Sequence, residues 1–346
     1  MDCRSDPTFR IGSLAPVTYA FILLPRFSLF ALAGAVEPLR HANQFLRRDA
    51  YCWTMYTEDG KAIRSSSGIE VVPSGSIENV PCDSFVMLVG GADILSVSSA
   101  NLSGWLRKMA VRAPMIGGLC TASRVLADAG LLDGYRATIH WEMSESFREA
   151  FPRVEVTGNL FEIDRNRMTC AGEAASTDLM LTMLAAAHGN DVASTAAAQV
   201  LHARVRSPIE PQASLALRTG TRNRHLLKAI AMMEGHRDEL LSIELIAHEV
   251  GCSRRQLERI FKEEAGCSPV RHYRNLRLDR ARQLLLETGM SCMEVAVACG
   301  FCSSGAFSNA YRRRYGTLPA RDGHTGRRSR PGQRRGLADR VVSLAG

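Results

Sequence analysis

The chain contains no apolar run near the ~18 residues a bilayer-spanning helix requires, so no helical membrane span and no membrane partner are expected. Its opening residues, MDCRSDPTFRIGSLAP, include acidic side chains and no apolar core, which excludes a secretory signal of the usual form. Cysteine is present ten times but with little order. Cys299 to Cys302 is a lone CxxC with no second pair at metal-ligand spacing, so neither a zinc site nor any other cofactor is expected. Scattered thiols without an export signal point to reduced cysteines in a cytoplasmic protein. Nor is there fibrous or low-complexity bulk: 346 residues leave room for two folded domains.

Basic surplus is missing from most of the chain as well. Before Arg222, 20 Lys/Arg stand against 22 Asp/Glu; from Arg222 onward 23 stand against 13. The formal charge of +8 therefore resides in the C-terminal part, the footprint expected of a phosphate-contacting domain.

That part carries two helix-turn-helix patterns, SIELIAHEVGCSRRQLERIFKEEAG from Ser242 and SCMEVAVACGFCSSGAFSNAYRRRYG from Ser291. In each, an amphipathic helix meets a turn at Gly251 or Gly300, and a second helix follows. Leu257, Ile260 and Phe261 form the apolar stripe of one second helix; Phe307, Ala310 and Tyr311 form that of the other. Ser253 with Gln256 and Ser291 with Glu294 fit the capping box. Between the units, Ser268, Pro269 and Gly289 predict a helix from Pro269 to Thr288. At 1.5 Å per residue it spans roughly 30 Å, close to the ~34 Å between successive major grooves on one DNA face.

On the face opposite the stripe, Arg255 and Arg259 are the candidates for base edges, with Arg254, Gln256, Glu258 and Lys262 beside them. In the second unit the candidate contacts are Ser304, Ser308, Asn309, Arg312 and Arg313, with Arg314 completing a basic cluster. Ser304, Gly305 and Ala306 are small, so backbone positioning is expected there more than base reading.

From Val17 to Gly189 short apolar runs alternate with helical segments, which implies an α/β layer fold around a mostly parallel sheet. VTYAFILL, WTMYT, GIEVV, SFVMLVGG, PMIGGLC and YRATIH read as strands. LFALAGAVEPLRHANQFL, NLSGWLRKMAV and STDLMLTMLAAAHG read as helices, and VEVTGNLFEIDRNRMTCAG as a hairpin. Gly118-Leu119-Cys120-Thr121-Ala122 has the form of a nucleophile elbow, with small residues two before and two after Cys120. His140-Trp141 follows at the end of the strand expected over YRATIH. Cys120 and His140 read either as an acyl-transfer pair or as a pocket floor. Trp141 reads either as a core residue or as a cation–π wall.

These motifs resemble two known families. LIAHEVGCSRRQLERIFKEEAGCSP, LRLDRARQLL and VACGFCSSGAFSNAYRRRYGTLP resemble the AraC/XylS transcription regulators. GGLCTASRVLADAGLLDGYRATIHWE and LFEIDRNRMTCAGEAASTDLML resemble the class I glutamine amidotransferase-like, PfpI-type domain. The pairing implies a flavodoxin-like α/β ligand-sensing domain over 17–190, a linker over 191–221 and an all-α DNA-binding domain with two helix-turn-helix motifs over 222–322. A basic, solvated tail over 323–346 completes the expectation. AVEPLRHAN, SRRQLERIF and LFEIDRNRMT most resemble activators of choline, glycine betaine and carnitine catabolism.

The resemblance implies an activator rather than an enzyme, with double-stranded DNA, a small amine or amino-acid effector, RNA polymerase and a second copy of the chain as partners. It also implies an effector pocket at Cys120, His140, Trp141 and Glu37. Enzymes of this fold place a glutamate beside the cysteine from the first strand-helix region, where this chain has Ala31, with Glu37 nearly two turns on. A Cys-dependent amidase or glyoxalase-like hydrolase fused to a DNA-binding domain remains the alternative. A third reading gives the N-terminal domain a role in dimerisation only.

Overall fold

The computed structural model describes residues 15–97, 99–212, 215–237 and 239–325. These divide into two compact units, Met1–Ser214 and Leu215–Gly346.

In the first unit the apolar run VTYAFIL forms β1 (Val17–Leu23), an interior strand of a seven-stranded sheet. Its neighbours are β2 (Tyr51–Thr57) and β6 (Phe85–Val89), both parallel to it. With β5 (Gly75–Ser76), β7 (Ile116–Leu119), β10 (Phe161–Asp164) and β11 (Arg167–Cys170), the order is β10-β11-β7-β6-β1-β2-β5. Every neighbouring pair is parallel except the β10–β11 hairpin. A parallel sheet covered on both faces explains why β1 is apolar without alternation. Tyr19, Phe21 and Leu23 enter the core beneath α1 (Leu29–Leu46), α5 (Ala174–His188) and α6 (Asn190–Gln199). Ala20 and Ile22 enter the opposite core, beneath α2 (Ala100–Met109), α3 (Ser123–Asp128) and α4 (Ser144–Ala150). The chain steps from β1 to β2 on one side and returns through β6 on the other. The strand order therefore reverses at the carboxyl ends of β1 and β6, the place where open α/β sheets bind ligands.

Three expectations are corrected. GIEVV supplies only β4 (Glu70–Val71), paired antiparallel with β3 (Ile63–Arg64) outside the main sheet. Val72 is 80% exposed and Pro73 offers no N–H to a ladder. YRATIH supplies only β8 (Arg136–Ala137), which pairs with β9 (Glu155–Val156). Thr138 leaves that ladder because its N–H donates to Thr169 Oγ1 and its hydroxyl to Asn159 O, so His140 heads a 3-10 turn instead of ending a strand.

The third correction concerns the segment expected as linker from 191. It begins inside α6, whose Val192, Ala193, Ala196 and Ala197 are part of the core. The residues after α6 are also held down. Asp178, fully buried on α5, accepts from the Arg206 guanidinium at 2.9 and 2.7 Å and from the Arg206 N–H at 2.7 Å, and lies 2.7 Å from His202 Nε2.

The second unit repeats one design. α8 (Arg224–Gly235), α9 (Ile243–Val250) and α10 (Arg254–Ala265) pack around Leu226, Ile230, Ile246, Leu257 and Phe261. α11 (Pro269–Glu287), α12 (Cys292–Ala298) and α13 (Ser304–Tyr315) pack around Leu278, Leu284, Val295, Phe307 and Tyr311. The capping boxes at Ser253 and Ser291 form. Ser268 caps α11 with Pro269 at its start. At 19 residues α11 is about 28 Å long. α7 (Leu215–Thr219) leads into this unit, and α14 (Pro319–Thr325) closes it, with Tyr311 Oη 2.6 Å from Asp322. The tail expected from Gly323 therefore starts within a helix; from Gly326 on it lies outside the described residues.

Candidate functional site

Two sites are assembled, one in each unit. In the second unit, both turns are clamped by side chains from the preceding helix. His225 Nδ1 lies 2.8 Å from Val250 O, and Lys228 donates to Glu249 O, so α8 takes up carbonyls at the end of α9. In the repeat, the buried guanidinium of Arg277 donates from Nε to Cys299 O at 2.6 Å and from Nη2 to Gly300 O, and lies 4.1 Å from the centre of the Phe301 ring. Cations at a helix C-terminus meet its negative dipole end. Each clamp fixes the turn that aims the next helix.

On α10, Leu257 and Phe261 face the core while Arg254, Arg255, Gln256, Glu258, Arg259 and Lys262 are exposed. They are not equivalent. Arg254 is taken by Glu244 and, at 2.9 Å, by Glu258. Gln256 is held in its capping box. Arg259 lies 4.0 Å from Glu263, too far for a hydrogen bond. On α13, Ser304, Asn309, Arg312 and Arg313 are exposed and Ser308 is half-buried. Arg314 points away from that set, donating twice from Nη2 to Asp279 at 2.7 and 2.6 Å. Its charge is therefore neutralised within the fold.

In the first unit, the elbow expected at Cys120 forms at the carboxyl end of β7, with Cys120 at φ 62°. A Cβ on Gly118 would lie 2.9 Å from Ser123 N, which is why this position is glycine. The His140 N–H donates to Cys120 O at 3.3 Å, and the imidazole and Trp141 rings lie 5.7 Å apart. Trp141 is 40% exposed, so it is not a core residue. Burial, with the Glu173 carboxylate nearby, pushes the Cys120 thiol up to about 12. Burial holds the His140 imidazole below its ordinary range, with Glu142 and Glu173 pulling the other way. His140 Nδ1 stands 3.9 Å from Glu142, beyond hydrogen-bonding distance. A neutral thiol beside an unoriented neutral imidazole is poorly prepared for nucleophilic attack.

Glu37 does not join this group. Its carboxylate holds Arg40 at 2.6 Å and lies 3.8 Å from His41, both on α1. Besides Glu142, the carboxylate that acts on both Cys120 and His140 belongs to Glu173, which sequence reasoning missed. A signal was available: Gly172-Glu173 joins a strand to a helix as Cys120-Thr121 does, one strand over.

Models for a helix-turn-helix domain and for the DJ-1/PfpI family match residues 246–322 and 26–186 respectively. The chain is 40% identical over 312 residues to the HTH-type transcriptional regulator GbdR of Pseudomonas aeruginosa, covering 90% of this chain and 85% of GbdR. It is 42% identical over 303 residues to the HTH-type transcriptional regulator CdhR of the same species, covering 87% and 90%. Among solved structures, an AraC family transcriptional regulator from Pseudomonas putida aligns with a TM-score of 0.50 at 29% identity, over 54% of this chain and all of that one. The chain belongs to the AraC family of DNA-binding helix-turn-helix transcription regulators, in the form that carries an N-terminal DJ-1/PfpI domain.

Proposed function

We propose that this regulator is a transcription activator switched by a small quaternary ammonium or related amine, bound without turnover at the carboxyl edge of the first unit's sheet. The observation that carries the reading is Trp141: a large aromatic ring 40% exposed beside a buried, un-ionised Cys120. An exposed indole face is the surface that binds alkylammonium groups, contributing about 1–2 kcal/mol when desolvated. The resemblance to activators of betaine and carnitine catabolism agrees with that chemistry. Cys120 and His140 form the pocket floor, and catalysis is not part of the reading.

A route from pocket to DNA-binding unit lies in the segment after α6. Gln212 Nε2 donates to Ile139 O at 3.0 Å, one residue before His140, and to Thr138 Oγ1 and Asn159 O at 2.9 Å each. Three residues after Gln212 the chain enters α7. A ligand that shifts the His140-Trp141 turn pulls on this anchor, and a second copy of the chain and RNA polymerase are the partners that read the change. On DNA, α10 and α13 enter successive major grooves, with Arg255 and Arg259 reading base edges and Arg312 and Arg313 holding phosphates.

The test is a thermal-shift screen of the full chain against glycine betaine, carnitine, dimethylglycine and amino acids. One of them should raise the melting temperature, and Trp141→Ala should abolish that rise while DNA binding persists. Cys120→Ser should keep most of it. Product formation from an amide or aldehyde, lost in Cys120→Ser, would overturn the reading and install the hydrolase.

A further inference from the structure

Glu173 occupies a backbone conformation that a glycine would take more easily. At φ 51° and ψ −133° it lies in a region that side-chain-bearing residues enter at a cost. Gly172 before it is also left-handed, at φ 91°. This double turn between β11 and α5 folds back on the elbow: a Cβ on Gly172 would stand 2.6 Å from the Cys120 Cβ. The turn thus brings the carboxylate to the end of β7, because β11 runs beside β7 with Cys170 opposite Leu119. From the other side the Ser28 hydroxyl, at the head of α1, donates to Glu173 Oε1 at 2.8 Å. Oε2 takes no hydrogen bond from any described residue, and no described cation pairs with this carboxylate within 4.0 Å. A strained turn therefore holds a negative charge that has no cationic partner among the described residues. Glycine at this position would relieve the strain, and the buried Ser28 hydroxyl would keep its bond from the Ala31 N–H.

We infer that Glu173 is the specificity-determining residue of the effector pocket, a fixed carboxylate that takes the positive charge of a cationic or zwitterionic amine while Trp141 covers its alkyl groups. This rests on the pocket reading above and adds which side chain selects for charge. The Glu173 carboxylate opposes ionisation of Cys120 and favours a proton on His140, as a negative charge at this position must.

Matched ligands separate charge from shape: glycine betaine against 3,3-dimethylbutanoate, and choline against 3,3-dimethylbutan-1-ol, each pair differing by nitrogen for carbon. Calorimetric titration of the full chain should show at least a tenfold preference for the charged member of one pair. Glu173→Gln, which still accepts from Ser28, should reduce that preference to below about threefold. Glu173→Gly should lose it too while melting higher than the parent, an effect a structural role would not give. If Glu173→Gln keeps the preference while Trp141→Ala loses binding, this inference fails and the pocket stands. If the parent binds none of the four, or Trp141→Ala changes nothing, the pocket reading falls and this inference with it.

Discussion

Replacing Arg277 by Ala removes the clamp between α11 and the second turn. Two hydrogen bonds from a charged donor to Cys299 O and Gly300 O disappear, each worth about 1.5–3 kcal/mol. The stack on Phe301 at 4.1 Å adds about 1–2 kcal/mol in a desolvated setting. Against these, Ala no longer carries the cost of burying a guanidinium, so the net loss should be about 2–4 kcal/mol. It should fall mainly on one half of the unit, since the hydrogen bonds of Arg277 go to Cys299 and Gly300 and its ring contact to Phe301, beside the core around Val295 and Phe307. All three tryptophans lie in the first unit, so indole fluorescence will not report this change. Far-UV circular dichroism in urea should show an earlier transition, and footprinting should lose protection on one side of the operator only. Arg277→Lys should recover little, because an ammonium lacks the planar fork and the ring stack. An unshifted urea transition with a complete footprint would refute the reasoning.

Arg255→Ala and Arg259→Ala should each cost about 1–3 kcal/mol at one operator position and relax sequence preference there. Arg254→Ala, whose side chain already serves Glu244 and Glu258, should cost less; competition binding against scrambled DNA measures all three. Neutralising Arg312 and Arg313 should flatten the salt dependence of binding without altering the consensus. Arg314→Ala should instead lower stability, since it breaks the Asp279 pair, and a changed salt slope in that variant would count against the assignment. His140 is held below its ordinary value of 6.5, so the folded state resists its protonation. Its contribution to stability is present above pH 6.5 and is lost as pH falls through the depressed value. Urea midpoints at pH 7 and pH 5 should therefore diverge, and His140→Gln should shrink the difference.

Much of this architecture was legible because local signals and tertiary packing agreed. α1 occupies LFALAGAVEPLRHANQFL from end to end, and α10, α11 and α12 start just after Ser253, Ser268 and Ser291, the serines whose spacing predicts caps. The losses have separable causes. α6 is built from VASTAAAQ, whose small side chains give little periodic signal, yet smallness is what lets it settle onto α1 and α5. YRATIH has strand-like composition, but the Thr138 N–H donates to Thr169 Oγ1 and its hydroxyl to Asn159 O, which no pattern within the segment reports. Glu37 is the nearest carboxylate to Ala31 along the sequence, whereas the carboxylate at the elbow arrives from the end of β11, far along the chain. Proximity created by parallel strands is invisible to residue spacing. A Gly-Glu pair at a strand-to-helix junction is the one local trace it left.

The central claim is that a small amine seated at Cys120, His140, Trp141 and Glu173 changes what α10 and α13 do on DNA. Its most direct test follows transcription from a cognate promoter by the full chain as effector is added, with the effector assayed afterwards by mass spectrometry. The account predicts a saturable rise in transcript, full recovery of unchanged effector, and no rise with Trp141→Ala. Transcription indifferent to every amine tested, or effector consumed in proportion to protein and time, would contradict it.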